Sequence, residues 1–190
     1  MALFWRYGYE GASLEGLRRA MGGLSSASFY AAFGSKESLY RDALDLYLHT
    51  HGLAVAPLYD LALPPRERIE WALRASARMQ SGEDRPKGCL VALSSTVGSP
   101  ESESVRALTA SERRANRDAI RASVEAAVAA GELRADTDVA GLATMFEGIL
   151  LGLSIQALDG ATAACLDAAV TSALTAWDAC RACDPVSEKR

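Results

Sequence analysis

Hydrophobic residues recur at helical spacing in three short segments near the amino terminus, between residues 13 and 51. Leu14 and Leu17 belong to the first segment, which ends at Gly22-Gly23 because glycine accepts the left-handed conformation that closes a helix. A serine precedes each segment, where its hydroxyl can cap the helix. Two short helices joined by a glycine turn predict a helix-turn-helix, and a third helix is predicted from Lys36 to about residue 51.

Five further helices are predicted from periodic apolar residues, over about residues 64–81, 89–97, 101–130, 139–158 and 161–181. Residues 52–63 are expected to form a loose segment that ends at Pro64-Pro65, a pair suited to the first turn of a helix. Alanine and leucine dominate the chain, and runs of Val, Ile and Thr are nearly absent. The predicted fold class is therefore all-α.

Composition and charge narrow the class of protein further. The chain has 190 residues, of which 49% are hydrophobic and 23% charged, as in soluble globular proteins. No stretch reaches about 20 uninterrupted apolar residues and the amino terminus lacks a signal-peptide pattern, so we expect a cytoplasmic protein without a membrane span. The formal net charge is −4, and residues 1–48 are balanced. DNA binding is therefore indicated by the helical pattern and not by bulk charge.

Residues 7–44, YGYEGASLEGLRRAMGGLSSASFYAAFGSKESLYRDAL, resemble the DNA-binding domain of the TetR/AcrR family of bacterial transcriptional regulators. The matching positions are Gly8-Tyr9, Ser13-Leu14, Met21-Gly22, Ser28-Phe29-Tyr30, Phe33 and residues 34–39. The resemblance implies an all-helical homodimer that represses transcription until a small-molecule effector binds its C-terminal domain. It also implies a DNA-binding domain over residues 1–45 and a ligand-binding and dimerisation domain over residues 46–190.

Two departures from the family pattern change these expectations. Ala12 stands where the family prefers threonine, so one hydroxyl contact to phosphate is expected to be absent. The chain also opens inside what should be the first helix, so another turn is expected before Met1.

The second helix of the motif, residues 25–33, is the expected reading helix. Its small side chains would let it lie close in a major groove about 12 Å wide. Those expected nearest the bases are Ser25, Ser26, Ala27 and Ser28. Contacts to phosphate are expected from Ser13, Tyr30 and Lys36. A dimer would place two such helices on a palindromic double-stranded operator, about 34–36 Å apart or a multiple of this.

The effector site is expected between the helices of the C-terminal domain. The candidate ligand contacts are Trp71, Met79, Cys89, Glu112, Asn116, Phe146 and Gln156. Glu112 and Asn116 are polar positions on an otherwise apolar stripe, and burying such groups without partners costs about 1–3 kcal/mol. They either contact a ligand, or the stripe is exposed near its start.

The last two helices are apolar, and the first of them has a flat side of small residues. This combination suits a dimeric four-helix bundle. The expected interface residues are Gly148, Gly152, Leu166, Val170, Leu174 and Trp177.

Few residues indicate other chemistry. Cys180 and Cys183 form one CxxC pair, which without a second pair or a histidine does not define a zinc site, so no metal or cofactor is expected. Cys89 follows Lys87-Gly88 in the first turn of a predicted helix, where its pKa would be lowered. No enzyme signature is present. Three alternatives stay open: a thiol-based sensor acting through Cys89, a helical ligand-binding module that no longer binds DNA, and a helical enzyme.

Overall fold

The structure is a computed structural model that describes residues 1–96 and 98–182. Within these residues the α-helices are α1 Ala2–Gly11, α2 Leu14–Ala20, α3 Ser26–Phe33, α4 Lys36–Leu48, α5 Pro65–Gln80, α6 Leu90–Leu93, α7 Glu103–Ala129, α8 Val139–Leu158 and α9 Ala163–Ala179. Two 3-10 helices, His51–Tyr59 and Pro100–Ser102, join them. The described part contains no strand beyond one isolated bridge between Leu133 and Arg181. The all-α prediction is confirmed.

Three elements differ from the sequence-based prediction. Residues 51–59 are a 3-10 helix and not a loose segment, because Val55 and Leu58 pack into the core of the body. The pattern of Leu3, Phe4 and Tyr7 predicts a first helix that ends at Gly8, whereas α1 continues past Gly8 with a kink. Helix α6 has only four residues, and Ser94 and Ser95 just after it bond to side chains of α4 and α7.

Helices α1–α4 pack around an aromatic core. Phe4, Trp5, Phe29, Tyr40 and Tyr47 are all buried there, with Tyr40 standing edge-on to Phe4 at 5.1 Å between ring centroids. Phe29 thereby anchors α3 in this core.

The turn between α2 and α3 is closed by its own backbone. Gly22 and Gly23 have φ of 80° and 79°, the left-handed region that glycine adopts without steric cost. The carbonyl of Arg18 accepts hydrogen bonds from the N–H groups of Gly23 and Leu24, and the Arg18 side chain donates to the Leu24 carbonyl at 2.7 Å. One residue therefore holds both sides of the turn.

Helices α5, α7, α8 and α9 form the body around a second, largely aliphatic core. By length and composition alone, α8 could cross a membrane. It packs against α5, α7 and α9 instead, and its Leu142, Phe146 and Leu153 are buried in the core. Core helices of globular proteins have the same apolar character, so α8 is no sign of a membrane span.

Residues 88–95, the α6 segment, lie between the two parts of the molecule. The Trp5 indole N–H donates to the Gly88 carbonyl at 3.2 Å, and the Tyr9 N–H donates to the Ser94 carbonyl at 2.7 Å. On the other side, a Cβ at Gly88 would stand 2.9 Å from the Ser154 carbonyl oxygen, so only glycine permits this approach to α8. The α6 segment thus contacts both the body and helices α1–α4, which we call the reading domain.

Candidate DNA-binding surface and ligand cavity

Helix α3 is anchored on one side and free on the other. Phe29 is fully buried beneath it, whereas Ser26, Ala27 and Ser28 are exposed. The Ser25 hydroxyl caps the helix by accepting a hydrogen bond from the Ser28 N–H at 3.0 Å. The side chains predicted to face bases therefore form one open, small-residue surface. Whether they contact bases stays a prediction.

The three residues predicted to contact phosphate surround this surface. Tyr30 on α3 is 51% exposed. Ser13 is exposed and caps α2, its hydroxyl oxygen accepting from the Gly16 N–H at 3.0 Å. Lys36 is half-buried, with its ammonium 4.5 Å from the centroid of the Tyr9 ring, and burial lowers its pKa. All three stand at helix ends or on α3, but Lys36 already makes a cation–π contact with Tyr9.

The charges around the reading helix are largely paired. Arg19 pairs with Glu15 and Arg41 pairs with Glu37, in each case one helical turn away. Such exposed pairs add little stability, but they cancel positive charge near the surface. Non-specific attraction to DNA is therefore expected to be modest, as the balanced charge of this region indicates.

A cavity of about 280 Å³ opens between α4, the first 3-10 helix and helices α5–α8. Its lining is mainly apolar, from residues such as Leu48, Leu53, Val55, Val91 and Leu150. Four of the predicted ligand contacts, Met79, Cys89, Glu112 and Asn116, lie on its wall. Their role in binding stays a prediction, but the structure brings them together.

Three predicted ligand contacts lie elsewhere. Trp71 is on the outer side of α5, 48% exposed, beside a shallow surface depression. Phe146 is fully buried in the body core, with its ring centroid 6.3 Å from that of Trp177. Gln156 is exposed on α8. The structure does not bring these three to the cavity, because a periodic stripe shows which helix face is apolar but not which neighbour covers it.

Polar groups of the cavity come from several elements. The Tyr59 hydroxyl donates to the Asn116 amide oxygen at 2.8 Å, so Asn116 has a partner. Glu112 is half-buried and forms no ion pair or side-chain hydrogen bond with any described residue. Arg113 donates to the Val91 carbonyl at 2.6 Å, which ties α7 to the α6 segment.

Cys89 lines the cavity as a protonated thiol. The Tyr47 hydroxyl donates to its sulfur at 3.2 Å, and burial of the sulfur raises the pKa of the thiol. The prediction of a lowered pKa is wrong, because α6 is a single turn and burial outweighs its effect. Lys87 does not help either, since its ammonium donates to the Ser81 carbonyl at 2.7 Å. Cys180 is half-buried, and Cys183 lies outside the described residues.

Several cavity residues were missed from the sequence: Tyr47, His51, Tyr59, Ser76, Gln80 and Ser154. Only Ser76 gave a usable signal, as a polar residue on the apolar stripe of α5 that also carries Ile69 and Leu73. The others are recognised only when six elements are brought together.

The predicted dimer interface needs correction. Leu166, Val170, Leu174 and Trp177 are buried in the protomer's own core, so they cannot face a partner. They were misplaced because a core stripe and an interface stripe have the same period. Gly148 and Gly152, by contrast, lie on an open side of α8 where an added Cβ would meet no atom within 4 Å. On the same face of α8, Thr144 and Ile155 are exposed and uncharged, as is Ser172 on α9.

An exposed, capped reading helix after a glycine turn, joined to an all-helical body, is the architecture of a helix-turn-helix transcriptional regulator. The sequence model of the tetracyclin repressor-like C-terminal domain matches residues 65–174. The HTH-type transcriptional repressor ComR of Escherichia coli (strain K12) is 32% identical over 167 residues, which cover 85% of this chain and 77% of ComR. The chain belongs to the TetR family of transcriptional regulators.

Solved structures agree with this assignment. A cysteine mutant of the TetR family transcriptional regulator CifR, complexed with 26bp double-strand operator DNA, superposes with a TM-score of 0.84. It is 43% identical and the match covers 93% of this chain and 92% of CifR. A TetR transcriptional regulator from Rhodococcus sp. RHA1 is 34% identical, with a TM-score of 0.59 and coverage of 95% and 94%.

Proposed function

We propose that this protein is a cytoplasmic, homodimeric repressor that binds a palindromic operator and is released by a small molecule in the cavity. One observation carries the proposal: the cavity wall includes Tyr47 and Leu48 of α4 and Cys89 and Val91 of the α6 segment. Helix α4 belongs to the reading domain, and the α6 segment forms hydrogen bonds to α1 and α4 of that domain. A ligand that fits only one arrangement of them therefore changes where α3 can lie.

DNA binding is supported by the exposed small-residue surface of α3 and by the relatives. ComR is named a transcriptional repressor, and the CifR structure contains operator DNA. Two α3 helices in a dimer would enter successive major grooves. The predicted domain boundary at residue 45 falls inside α4, which makes this helix the mechanical link between reading domain and body.

Release of DNA by a ligand requires a coupling free energy between the cavity and the DNA-binding surface. If the ligand weakens DNA binding by some factor, DNA must weaken ligand binding by the same factor. Three hydrogen bonds would transmit this coupling. Two join α4 to the α6 segment, Tyr47 to Cys89 and Tyr40 to Ser94. The third joins Arg113 of α7 to the Val91 carbonyl of the α6 segment.

The dimer interface is proposed on the open side of α8 and α9 that includes Gly148 and Gly152. Small side chains there allow two helices to approach closely, as four-helix packing between protomers requires.

The first experiment is fluorescence anisotropy with DNA flanking the protein's own gene, across a salt series. Specific binding is expected at low salt, weakening as salt rises. Ala27→Glu adds a negative charge on the reading surface and is expected to weaken operator binding by about a hundredfold or more. Leu61→Glu adds the same charge on a residue of the body that is 80% exposed, and should leave binding unchanged.

Equal loss in both variants would assign the effect to net charge and not to the reading surface. If the unaltered protein binds no flanking DNA specifically, the ligand-binding module without DNA binding becomes the better description.

A second candidate, a thiol-based sensor, is favoured by the position of the Cys89 sulfur in the cavity wall. An electrophile with an activated carbon–carbon double bond would take up the Cys89 thiolate at one alkene carbon. The π bond opens in this step, and the proton that the thiol lost returns from solvent to the other alkene carbon. The raised pKa predicts slow reaction, because only the thiolate attacks. Treatment with N-ethylmaleimide should release the operator from the unaltered protein but not from Cys89→Ser. Equal release in both would refute the sensor.

A further inference from the structure

One buried side-chain atom of the described chain has no hydrogen-bond partner, the Ser76 hydroxyl. Ser76 is 1% exposed and lines the cavity from α5. Two other buried serines do have partners. Within α7, the Ser123 hydroxyl donates to the Ala119 carbonyl at 3.0 Å, and directly after α5 the Ser81 hydroxyl donates to the Ala77 carbonyl at 2.7 Å. Because buried polar groups almost always have partners, we expect the partner of this hydroxyl to lie inside the cavity.

Two further neutral polar groups stand beside it. Gln80 lies one turn along α5 and is 2% exposed, and its side-chain oxygen accepts a hydrogen bond from the Ser154 hydroxyl at 2.9 Å. Ser154 is also fully buried and lies on α8. We call Ser76, Gln80 and Ser154 the neutral polar end of the cavity. It offers hydrogen bonds but no charge.

The charges of the remaining lining do not change this picture. Glu112 and Arg113 are adjacent on α7 and of opposite sign. Burial together with Arg85 lowers the pKa of His51, so its imidazole is neutral at neutral pH. Burial also raises the pKa of both Cys89 and Tyr47, which keeps these groups protonated. The cavity therefore has no net charge, and an ionised ligand group at its neutral polar end would be desolvated without a counter-charge.

Size and polarity restrict the ligand further. A dry engineered cavity of about 150 Å³ in another protein holds benzene. The present cavity is about 280 Å³, which is small beside sites for drug-sized molecules. Its apolar wall favours a hydrocarbon body over a polar one.

We propose that, given the ligand-responsive function above, the effector is a neutral, compact and largely hydrocarbon molecule with one oxygen that accepts a hydrogen bond from the Ser76 hydroxyl. Carbonyl compounds and alcohols whose hydrocarbon body is one to three compact rings fit this description. Gln80 and Ser154 fix the depth to which that oxygen enters.

The test uses three probes that share one cage: adamantanone, adamantylamine and adamantane carboxylate. Binding to the purified full-length protein, without DNA, is measured by isothermal titration calorimetry. Adamantanone is neutral and carries one carbonyl oxygen, so it should bind most tightly. The amine and the carboxylate are ionised at neutral pH and are expected to bind at least tenfold more weakly.

Ser76→Ala is the central variant and Ser123→Ala is its matched control, because both serines are buried in helices. Ser76→Ala should weaken adamantanone binding about fivefold, the usual value of one hydrogen bond. The Tm of the ligand-free variant should stay unchanged or rise, since an unpaired hydroxyl has been removed. Ser123→Ala should leave adamantanone affinity unchanged and should not raise the Tm.

Three results would overturn the proposal: an ionised probe binding more tightly than the ketone, equal ketone affinity with and without the Ser76 hydroxyl, or no ketone binding to the folded protein. Operator release is measured separately on preformed protein–DNA complexes. Ketone binding through Ser76 without operator release would support the ligand class and refute regulation through this cavity. Operator release by other compounds, with no dependence on Ser76, would support regulation by a small molecule and refute the ligand class proposed here.

Discussion

The DNA-binding surface and the ligand cavity are built in opposite ways. The surface comes from one continuous stretch of 24 positions, residues 13–36, in which capping serines, a glycine turn and one buried phenylalanine determine the geometry. The cavity takes residues from six elements that span residues 47–154. Local chemistry suffices for the first, whereas the second exists only after the helices have packed. A motif of this kind can therefore be recognised in the sequence alone, whereas the cavity is recognised only in the structure.

The two cores differ in composition and in the parts of the chain that supply them. The core of the reading domain is aromatic and includes Leu90, Val91 and Val105, which come from far along the chain. The body core is mainly aliphatic and belongs to α5, α7, α8 and α9. A disturbance near α6 should therefore affect both regions, and a disturbance deep in the body should affect stability first.

The largest expected effect tests the placement of Phe146 in the body core. Phe146→Ala should reduce the free energy of unfolding by about 3–5 kcal/mol, the usual range for a buried aromatic side chain. Trp71→Ala, on an exposed side chain, should change it by less than about 0.5 kcal/mol. Urea denaturation of both variants measures the difference. Similar values for the two would contradict the assignment of Phe146 to the core.

The next prediction concerns the open side of α8. Gly148→Arg introduces a long charged side chain where the protomer has room for it, so the fold should remain intact. Light scattering after gel filtration should show a monomer, and operator affinity should fall at least tenfold because two reading helices no longer bind as one unit. A dimer with unaltered DNA affinity would place the interface elsewhere.

A smaller effect is expected at the contact between α4 and the α6 segment. The Tyr40 hydroxyl bonds to the Ser94 hydroxyl at 2.6 Å, and both residues are buried. Tyr40→Phe leaves the Ser94 hydroxyl unpaired and should cost about 1–3 kcal/mol of unfolding free energy. Tyr59→Phe removes a comparable bond from an exposed tyrosine and should cost less than about 0.5 kcal/mol. Chemical denaturation of the two variants measures both losses of unfolding free energy, and equal losses would contradict the prediction.

The smallest effect is a pH dependence at Glu10. Hydrogen bonds from Ser102 and Ser99 hold the pKa of this carboxyl below its usual value of 4.5. A lowered pKa in the folded state means that its stabilisation is present above pH 4.5 and is lost as the pH falls through the lower value. Glu10→Gln should therefore flatten the Tm profile in this acidic range. Glu15→Gln, on an exposed carboxylate paired only with Arg19, is the control.

Much of the fold could be predicted because its signals are local. Ser13 and Ser35 cap the helices expected of them, Ser25 is the one of two candidates, Ser25 and Ser26, that caps α3, and Gly22-Gly23 forms the expected turn. Periodicity failed where identical patterns serve different purposes. The stripe of α9 that contains Leu166 and Trp177 has the spacing of an interface but packs inside the protomer.

The cavity was only half predictable for a related reason. Glu112 and Asn116 stood out as polar positions on an apolar stripe, and they do line the cavity. Tyr47 gave no such signal because it shares an apolar stripe of α4 with Tyr40 and Leu44, and Ser154 gave none because it is a small residue on an apolar helix. The pKa of Cys89 was predicted in the wrong direction because the burial of a sulfur atom cannot be read from its neighbours in sequence.

The position of the α6 segment bears on the engineering of chimeric biosensors. Transferring residues 1–48 alone onto a foreign sensor would leave the Trp5 indole N–H and the Tyr40 hydroxyl without their acceptor and partner on Gly88 and Ser94. The transferable module is discontinuous: it comprises the first 48 residues together with residues 88–95. Grafts that carry both pieces should keep their stability, whereas grafts cut at a single crossover point should not.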